Sequence, residues 1–151
     1  MSELLFRAAT ESDLSTIVAM LADDHLGAQR ESLDDLSAYA AALAQITADP
    51  RLLQVVCERD GEILGTMQLT LTPGLSRKGM TRMNIEGVRV SSAQRGGGIG
   101  REMIAWAIAY AREHGCGLIE LTTDKSRVDA HRFYERFGFE QSHLGYKLKL
   151  D

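Results

Sequence analysis

A chain of 151 residues with 44% hydrophobic and 25% charged residues and only two prolines fits one folded domain and excludes a disordered, collagenous or coiled-coil molecule. No run approaches the roughly 20 apolar residues of a membrane helix and no basic-apolar leader opens the chain, so a cytoplasmic protein with no membrane partner is expected. The net charge of −4 and the scattered Lys and Arg residues argue against nucleic acid as a partner, and Cys57 and Cys116, far apart in apolar runs, suggest buried thiols and neither a disulfide framework nor a metal site.

Leu4, Phe6 and Ala8 alternate with polar neighbours and predict a first strand. Thr10 followed by Asp13 has the spacing of a capping box, ahead of a helix carrying Leu14, Ile17, Val18 and Leu21. Ser32 with Asp35 repeats the pattern before Leu36, Tyr39, Ala40, Leu43 and Ile46, and Asp49-Pro50 ends that second helix. Asp23, Asp24, His25, Glu31, Asp34 and Asp35 crowd in or beside the connection between the two helices.

Strand-like runs at 52–58 and 63–71 meet at Asp60-Gly61, a strong hairpin signal, and residues 80–90 return as a third antiparallel strand after a loop at 72–79. Ile99, Met103, Ile104, Trp106, Ala107, Ile108 and Ala111 predict a largely buried helix stopped by Gly115 and Gly117. A short strand at 118–122 should then lie parallel to the third strand through a right-handed crossover. Residues 129–137 predict a last helix ended by Gly138, and 144–150 alternate as a closing strand. This order is an α/β fold of the α+β mixed-sheet kind, an antiparallel meander followed by a parallel βαβ unit, in a single domain over 1–151.

Charge is unevenly spread, with 4 basic and 12 acidic residues in 1–75 against 13 and 9 in 76–151, which suggests an anionic ligand for the second half and a cationic one for the first. In the second half, Gln94-Arg95-Gly96-Gly97-Gly98-Ile99-Gly100 links a strand to a helix. Glycines let peptide N–H groups approach an anion closely, and the helix start behind them adds unpaired donors, so the loop is a phosphate cradle. It lacks the Gly-Lys-Ser/Thr of nucleotide hydrolases, and Met103 stands where the dinucleotide fingerprint needs a third glycine.

Downstream lies Asp129-Ala130-His131-Arg132-Phe133-Tyr134-Glu135-Arg136-Phe137-Gly138-Phe139. Together with Val88-Arg89-Val90 and the Arg95 to Gly100 loop, it resembles the GNAT superfamily, the Gcn5-related N-acetyltransferases. The match is to the Arg/Gln-x-x-Gly-x-Gly/Ala and Phe-Tyr-Glu-x-x-Gly-Phe motifs, over residues 84–140. The resemblance implies splayed central strands with helices on both faces, an N-acetyltransferase of the EC 2.3.1 class, acetyl-coenzyme A as cosubstrate and no metal. By the same resemblance the pyrophosphate lies on the amides of Gly96, Gly97, Gly98, Ile99, Gly100 and Arg101 with Arg95 beside the loop, and the pantetheine arm runs along the backbone of Val88, Arg89 and Val90 like an added strand. Val88 N–H is implied as the donor to the acetyl oxygen, and Tyr134 as the acid that protonates the departing thiolate. Where relatives carry an Asn that holds the pantetheine this chain has Arg127, with Thr123, Asp124, Ser126 and Asp129 as the neighbours able to replace it.

An attacking amine must be neutral, and Glu86 is the candidate base. Arg82, Asn84 and Glu86 put polar groups on one face of a strand expected to be central, where a charge is costly unless used or paired; the structural alternatives are an ion pair with Arg82 or an edge-exposed glutamate. His25 is a second substrate-side candidate, whereas His131 is expected on a helix surface. The acidic inter-helix segment suggests a cationic small-molecule or protein amine as acceptor; a homodimer is compatible with the sequence. The competing readings are a non-catalytic acyl-CoA-binding or regulatory module and, less favoured by the charge, a nucleic-acid-linked regulator.

Overall fold

In the computed structural model, which describes residues 2–150, strand β1 (Leu5–Ala8) leads through a 3-10 turn (Glu11–Asp13) into helix α1 (Leu14–Ala22). The capping arrangement forms as the spacing demands: the Asp13 carboxylate accepts from Thr10 N–H at 2.7 Å, and Asp13 N–H donates to the Thr10 carbonyl at 2.9 Å. A one-turn helix α2 (Gly27–Arg30), not foreseen from the periodicity, follows, with Asp24 Oδ1 accepting from Gly27 N–H at 2.6 Å. Helix α3 (Ser37–Ala48) is then started by Asp35 rather than Ser32, since Asp35 Oδ1 accepts from both the N–H and the hydroxyl of Ser37.

The meander is β2 (Leu52–Arg59), β3 (Glu62–Pro73) and β4 (Thr81–Val90). Asp60 and Gly61 both take positive φ, 53° and 81°, as a tight hairpin of right-handed twist requires. A single turn α4 (Ser76–Gly79) joins β3 to β4. Helix α5 (Ile99–Glu113) then crosses to β5 (Leu118–Leu121), which lies beside β4 and parallel to it, with Gly117 N–H donating to the Thr81 carbonyl at 3.0 Å. The sheet order is β1-β2-β3-β4-β5, antiparallel as far as β4 and parallel at its end.

Strand alternation gives this sheet two unlike faces. One buries Val55, Cys57, Met67, Leu69, Met83 and Ile85 against Ile99, Met103, Ile104, Ala107 and Ala111 of α5. Gly65 sits where an added Cβ would come within 2.5 Å of Met103 Sδ, so the helix is pressed close to the strand. The other face buries Val56 with Ala9, Leu14, Ile17 and Leu43 under α1 and α3. Burial pushes the Cys57 thiol up to about 11, which makes it an inert core side chain, as expected. Among the described residues no helix is long and apolar enough to cross a membrane.

Contacts divide the chain into two compact units, one running to Glu120 and one beginning at Leu121. The second contains helix α6 (Val128–Arg136), closed by Gly138 at φ 97° with its N–H on the Glu135 carbonyl and Phe139 N–H on the Tyr134 carbonyl. The strand expected at 144–150 is absent: residues 139–150 form no helix or strand, and Leu144, Tyr146, Leu148 and Leu150 are exposed. Alternation supplies a face to bury, but a strand exists only where a ladder partner takes its backbone groups.

Buried Asp13 anchors the start of α1 to the sheet, through Arg7 Nη1 and Nη2 at 2.8 and 3.0 Å, and Arg7 also donates to Glu58. The hydrogen bonds from Arg7 outweigh burial and hold the Asp13 carboxyl at about 2, below its ordinary 3.8. A depressed pKa stabilises the fold only above the unfolded value, so Asp13→Asn should cost about 2 kcal/mol at pH 7, a fall in Tm of roughly 5 °C. In thermal melts that difference from the parent should shrink as pH falls from about 4 towards 2; a constant difference across that window would refute the assignment.

Candidate active site

β4 carries one residue more than the strand it pairs with. Gln68 faces Glu86, whereas Thr66 faces Arg89, so Gly87 and Val88 together stand opposite Met67. Gly87 takes φ 61°, a backbone state that a residue with a Cβ enters only at a cost of about 1 kcal/mol or more. The bulge also resets the alternation. Arg82, Asn84 and Glu86 share a face with Thr72, Thr70 and Gln68, and beyond the bulge Arg89 joins that same face instead of pointing into the α5 core.

β5 spans four residues and starts beside Thr81, so it covers only the first part of the ten-residue β4. The backbone from the bulge to Val90 lies beyond the reach of that ladder. Directly after it, a 3-10 turn (Ser92–Gln94) leads into the glycine loop. Gly96 and Gly98 both adopt φ 84°, and a Cβ at either would meet nothing within 4 Å. The first intrahelical bond of α5 runs from Glu102 N–H to the Gly98 carbonyl, which leaves the N–H groups of Ile99, Gly100 and Arg101 without helical acceptors at the positive end of a fifteen-residue helix.

The end of α1 lies against both features. Leu21 Cδ2 is the atom nearest to where a Cβ of Gly87 would stand, at 3.9 Å. Arg95 Nη2 lies 3.6 Å from Asp23 Oδ2 and donates to the Asp23 carbonyl at 3.4 Å, while Arg89 Nη2 lies 4.0 Å from Asp24 Oδ2. Two further carboxylates of the segment are also engaged, with Tyr39 donating its hydroxyl to Glu31 at 2.8 Å and Asp35 starting α3, whereas Asp34 is exposed. His25 is exposed.

The first unit therefore gathers Glu86, Val88, Arg89, Val90, Arg95 and the 96–101 cradle along one continuous stretch, from the bulge to the first turn of α5. The Glu86 side chain is exposed, one of the alternatives left open for it, and the ion pair with Arg82 does not form, because Arg82 pairs instead with Glu120, at 3.2 Å. Tyr134, Thr123, Asp129 and Arg127 belong to the second unit. There Tyr134, half-buried on α6, packs edge-on to Phe133 and Phe139, with centroids 5.2 and 5.8 Å away. Asp124 turns the chain before α6 by accepting from Ser126 N–H and hydroxyl, and the His131 ring lies 3.1 Å from the Asp124 carbonyl. The side chain of Arg89 as a member of the polar face, and the tie between Arg95 and Asp23, were not legible from motifs. The signal for the first was Gly87 itself, an isolated glycine inside a strand, followed by a polar residue out of phase with 82, 84 and 86.

Acetyl-coenzyme A fits what these residues offer: an open glycine loop with the amides of Ile99, Gly100 and Arg101 for its phosphates, though Gly97 N–H already donates to the Gln94 carbonyl at 3.1 Å, and strand backbone beyond β5 for its pantetheine arm. A side chain at Gly98 would fill the cradle and strain the αL entry to α5. Gly98→Val should weaken coenzyme A binding at least roughly tenfold by calorimetry, equivalent to about 1.4 kcal/mol. Unchanged affinity would mean that the loop is not the phosphate site.

Residues 15–139 match the model of the acetyltransferase (GNAT) family. The chain is 32% identical over 144 residues to the aminoalkylphosphonate N-acetyltransferase of Salmonella typhimurium, covering 95% of this chain and 90% of that one. It is 27% identical over 156 residues to the glucosamine 6-phosphate N-acetyltransferase of Trypanosoma brucei brucei, covering 98% and 97%. Among solved structures, it resembles one described as a transcriptional regulator from Bacillus halodurans C-125, with TM-score 0.94 and 47% identity over 98% of this chain and 100% of that chain. The chain belongs to the GNAT family of acetyltransferases.

Proposed function

We propose that this acetyltransferase moves the acetyl group of acetyl-coenzyme A onto the primary amine of a small molecule that also carries a phosphonate or phosphate group, by direct attack within a ternary complex. The observation that carries the transfer reaction is the continuous stretch from the Gly87 bulge to the first turn of α5, which sets amide donors and open strand backbone in one line. The two relatives named above, which match along nearly the whole chain, act on amines bearing a phosphorus acid, and this supports the acceptor class. The acidic segment speaks less strongly for a purely cationic acceptor, because Asp23 and Asp24 face arginines, Glu31 accepts from Tyr39 and Asp35 serves α3, although Asp34 stays exposed.

The chemistry assigns one task to each residue. Glu86, exposed at the edge of the bulge, takes the proton of the acceptor ammonium. A nearby phosphonate or phosphate favours the charged ammonium, so at neutral pH that step needs a base. Val88 N–H donates to the acetyl oxygen as negative charge develops there, in a direction fixed in advance by the bulge. Tyr134 returns a proton to the departing sulfur; a phenol with a reference pKa of about 10 is protonated at neutral pH. Acetyl-coenzyme A supplies the activated acyl group, and no covalent acyl-enzyme is needed.

Coenzyme A release across a panel of amines tests this reading. Aminoalkylphosphonates and amino-sugar phosphates should turn over faster than diamines or simple alkylamines. Tyr134→Phe and Glu86→Gln should each lower kcat by roughly 100-fold, with the KM for acetyl-coenzyme A almost unchanged. Full activity in Tyr134→Phe, or a preference for polyamines, would overturn the corresponding part. If coenzyme A binds but no amine is acetylated, the alternative of a non-catalytic acyl-CoA-binding module takes over.

A further inference from the structure

The residue that bears most on acceptor choice is Arg89, and the bulge makes it available. Were β4 regular, position 89 would alternate with Glu86 and point to the α5 side; the extra residue at Gly87 instead sets Arg89 opposite Thr66, on the face that carries Glu86 opposite Gln68. Thr66 and Gln68 are two residues apart, so Glu86 and Arg89 become same-face neighbours with backbones about 7 Å apart. A carboxylate and a guanidinium side by side, on a face that also carries Gln68, Thr70, Thr72, Asn84 and an Arg82 already paired with Glu120, form a complementary pair for a molecule bearing an ammonium at one end and an acid anion at the other.

Resting on the reading above, we propose that the Arg89 side chain is the anion-binding element of the acceptor site and selects amines carrying a phosphonate or phosphate. Its planar fork matches two oxygens of such a group, which a lysine point charge does not. The side chain is held ready rather than mobile. It is 17% exposed, Nη1 donates to the Val88 carbonyl at 2.9 Å, and Nη2 forms an ion pair with Asp24 Oδ2 at 4.0 Å. Asp24 thus helps hold the guanidinium in place at the polar face. The bond to the Val88 carbonyl also joins the specificity element to the same peptide segment that presents the Val88 N–H, so anion binding and acetyl positioning share one rigid piece of backbone.

Steady-state kinetics with 2-aminoethylphosphonate, and calorimetry with ethylphosphonate in saturating coenzyme A, test the assignment on the parent, Arg89→Gln and Arg89→Lys. The expected result is a KM for 2-aminoethylphosphonate raised at least roughly 30-fold in Arg89→Gln, with kcat and the KM for acetyl-coenzyme A within about twofold, and partial recovery in Arg89→Lys. Ethylphosphonate should bind the parent and not Arg89→Gln, with thermal melts confirming that the variants are folded. Arg77→Gln, which removes a positive charge from the β3–β4 turn, should leave both values unchanged and so exclude a general charge effect. Equal KM values in parent and Arg89→Gln, or acetylation of ethylamine as readily as of 2-aminoethylphosphonate, would overturn the proposal while leaving N-acetyl transfer intact. If no amine is acetylated, it is the proposed function that fails; ethylphosphonate binding then still decides this inference, and binding independent of Arg89 overturns it.

Discussion

One inserted residue in β4 governs the rest of the structure's chemistry. A regular antiparallel strand would satisfy its amides on both sides and alternate its side chains without interruption. The bulge at Gly87 ends that regularity at one point, with Met67 facing two residues instead of one. Two consequences follow: the peptide at Val88 is redirected, and a cation that alternation would aim at the α5 core lands on the polar face. The cost is one residue at positive φ, which glycine carries without a Cβ penalty.

The electrostatics are arranged around this point rather than spread over a surface. The acidic excess of the first half is drawn into short-range work. Asp13 fastens α1 to β1 through Arg7, and Asp23 and Asp24 at the end of α1 face the two arginines that flank the glycine loop and follow the bulge. Held this way, α1 acts as a brace between the cradle and the polar face. The partly exposed pairs contribute little stability on their own, but they fix where Arg95 and Arg89 stand, and that matters more for recognition than for folding.

Much of the fold was legible from local chemistry. Asp60-Gly61 specified its hairpin, Thr10 with Asp13 specified the start of α1, and the apolar face from Ile99 to Ala111 specified the helix that seals the sheet. What stayed hidden depends on partners distant in sequence. The alternation at 144–150 could not say whether a ladder would form. The acidity around Asp23 to Asp35 read as a surface for a cation because nothing in the sequence showed that the arginines at 89 and 95 would reach it. The parity change at Gly87 is the instructive case, because a single glycine reverses the assignment of every side chain after it.

The central claim is that the bulge, the uncovered end of β4 and the first turn of α5 form one binding line for acetyl-coenzyme A. Backbone amide shift mapping by NMR during a titration with coenzyme A measures it residue by residue. The account predicts that the largest shifts fall on Val88 to Val90 and on Gly96 to Arg101, with little change along β1 and β2. Large shifts confined to other parts of the chain, with the Gly96 to Arg101 amides unmoved at saturation, would contradict it.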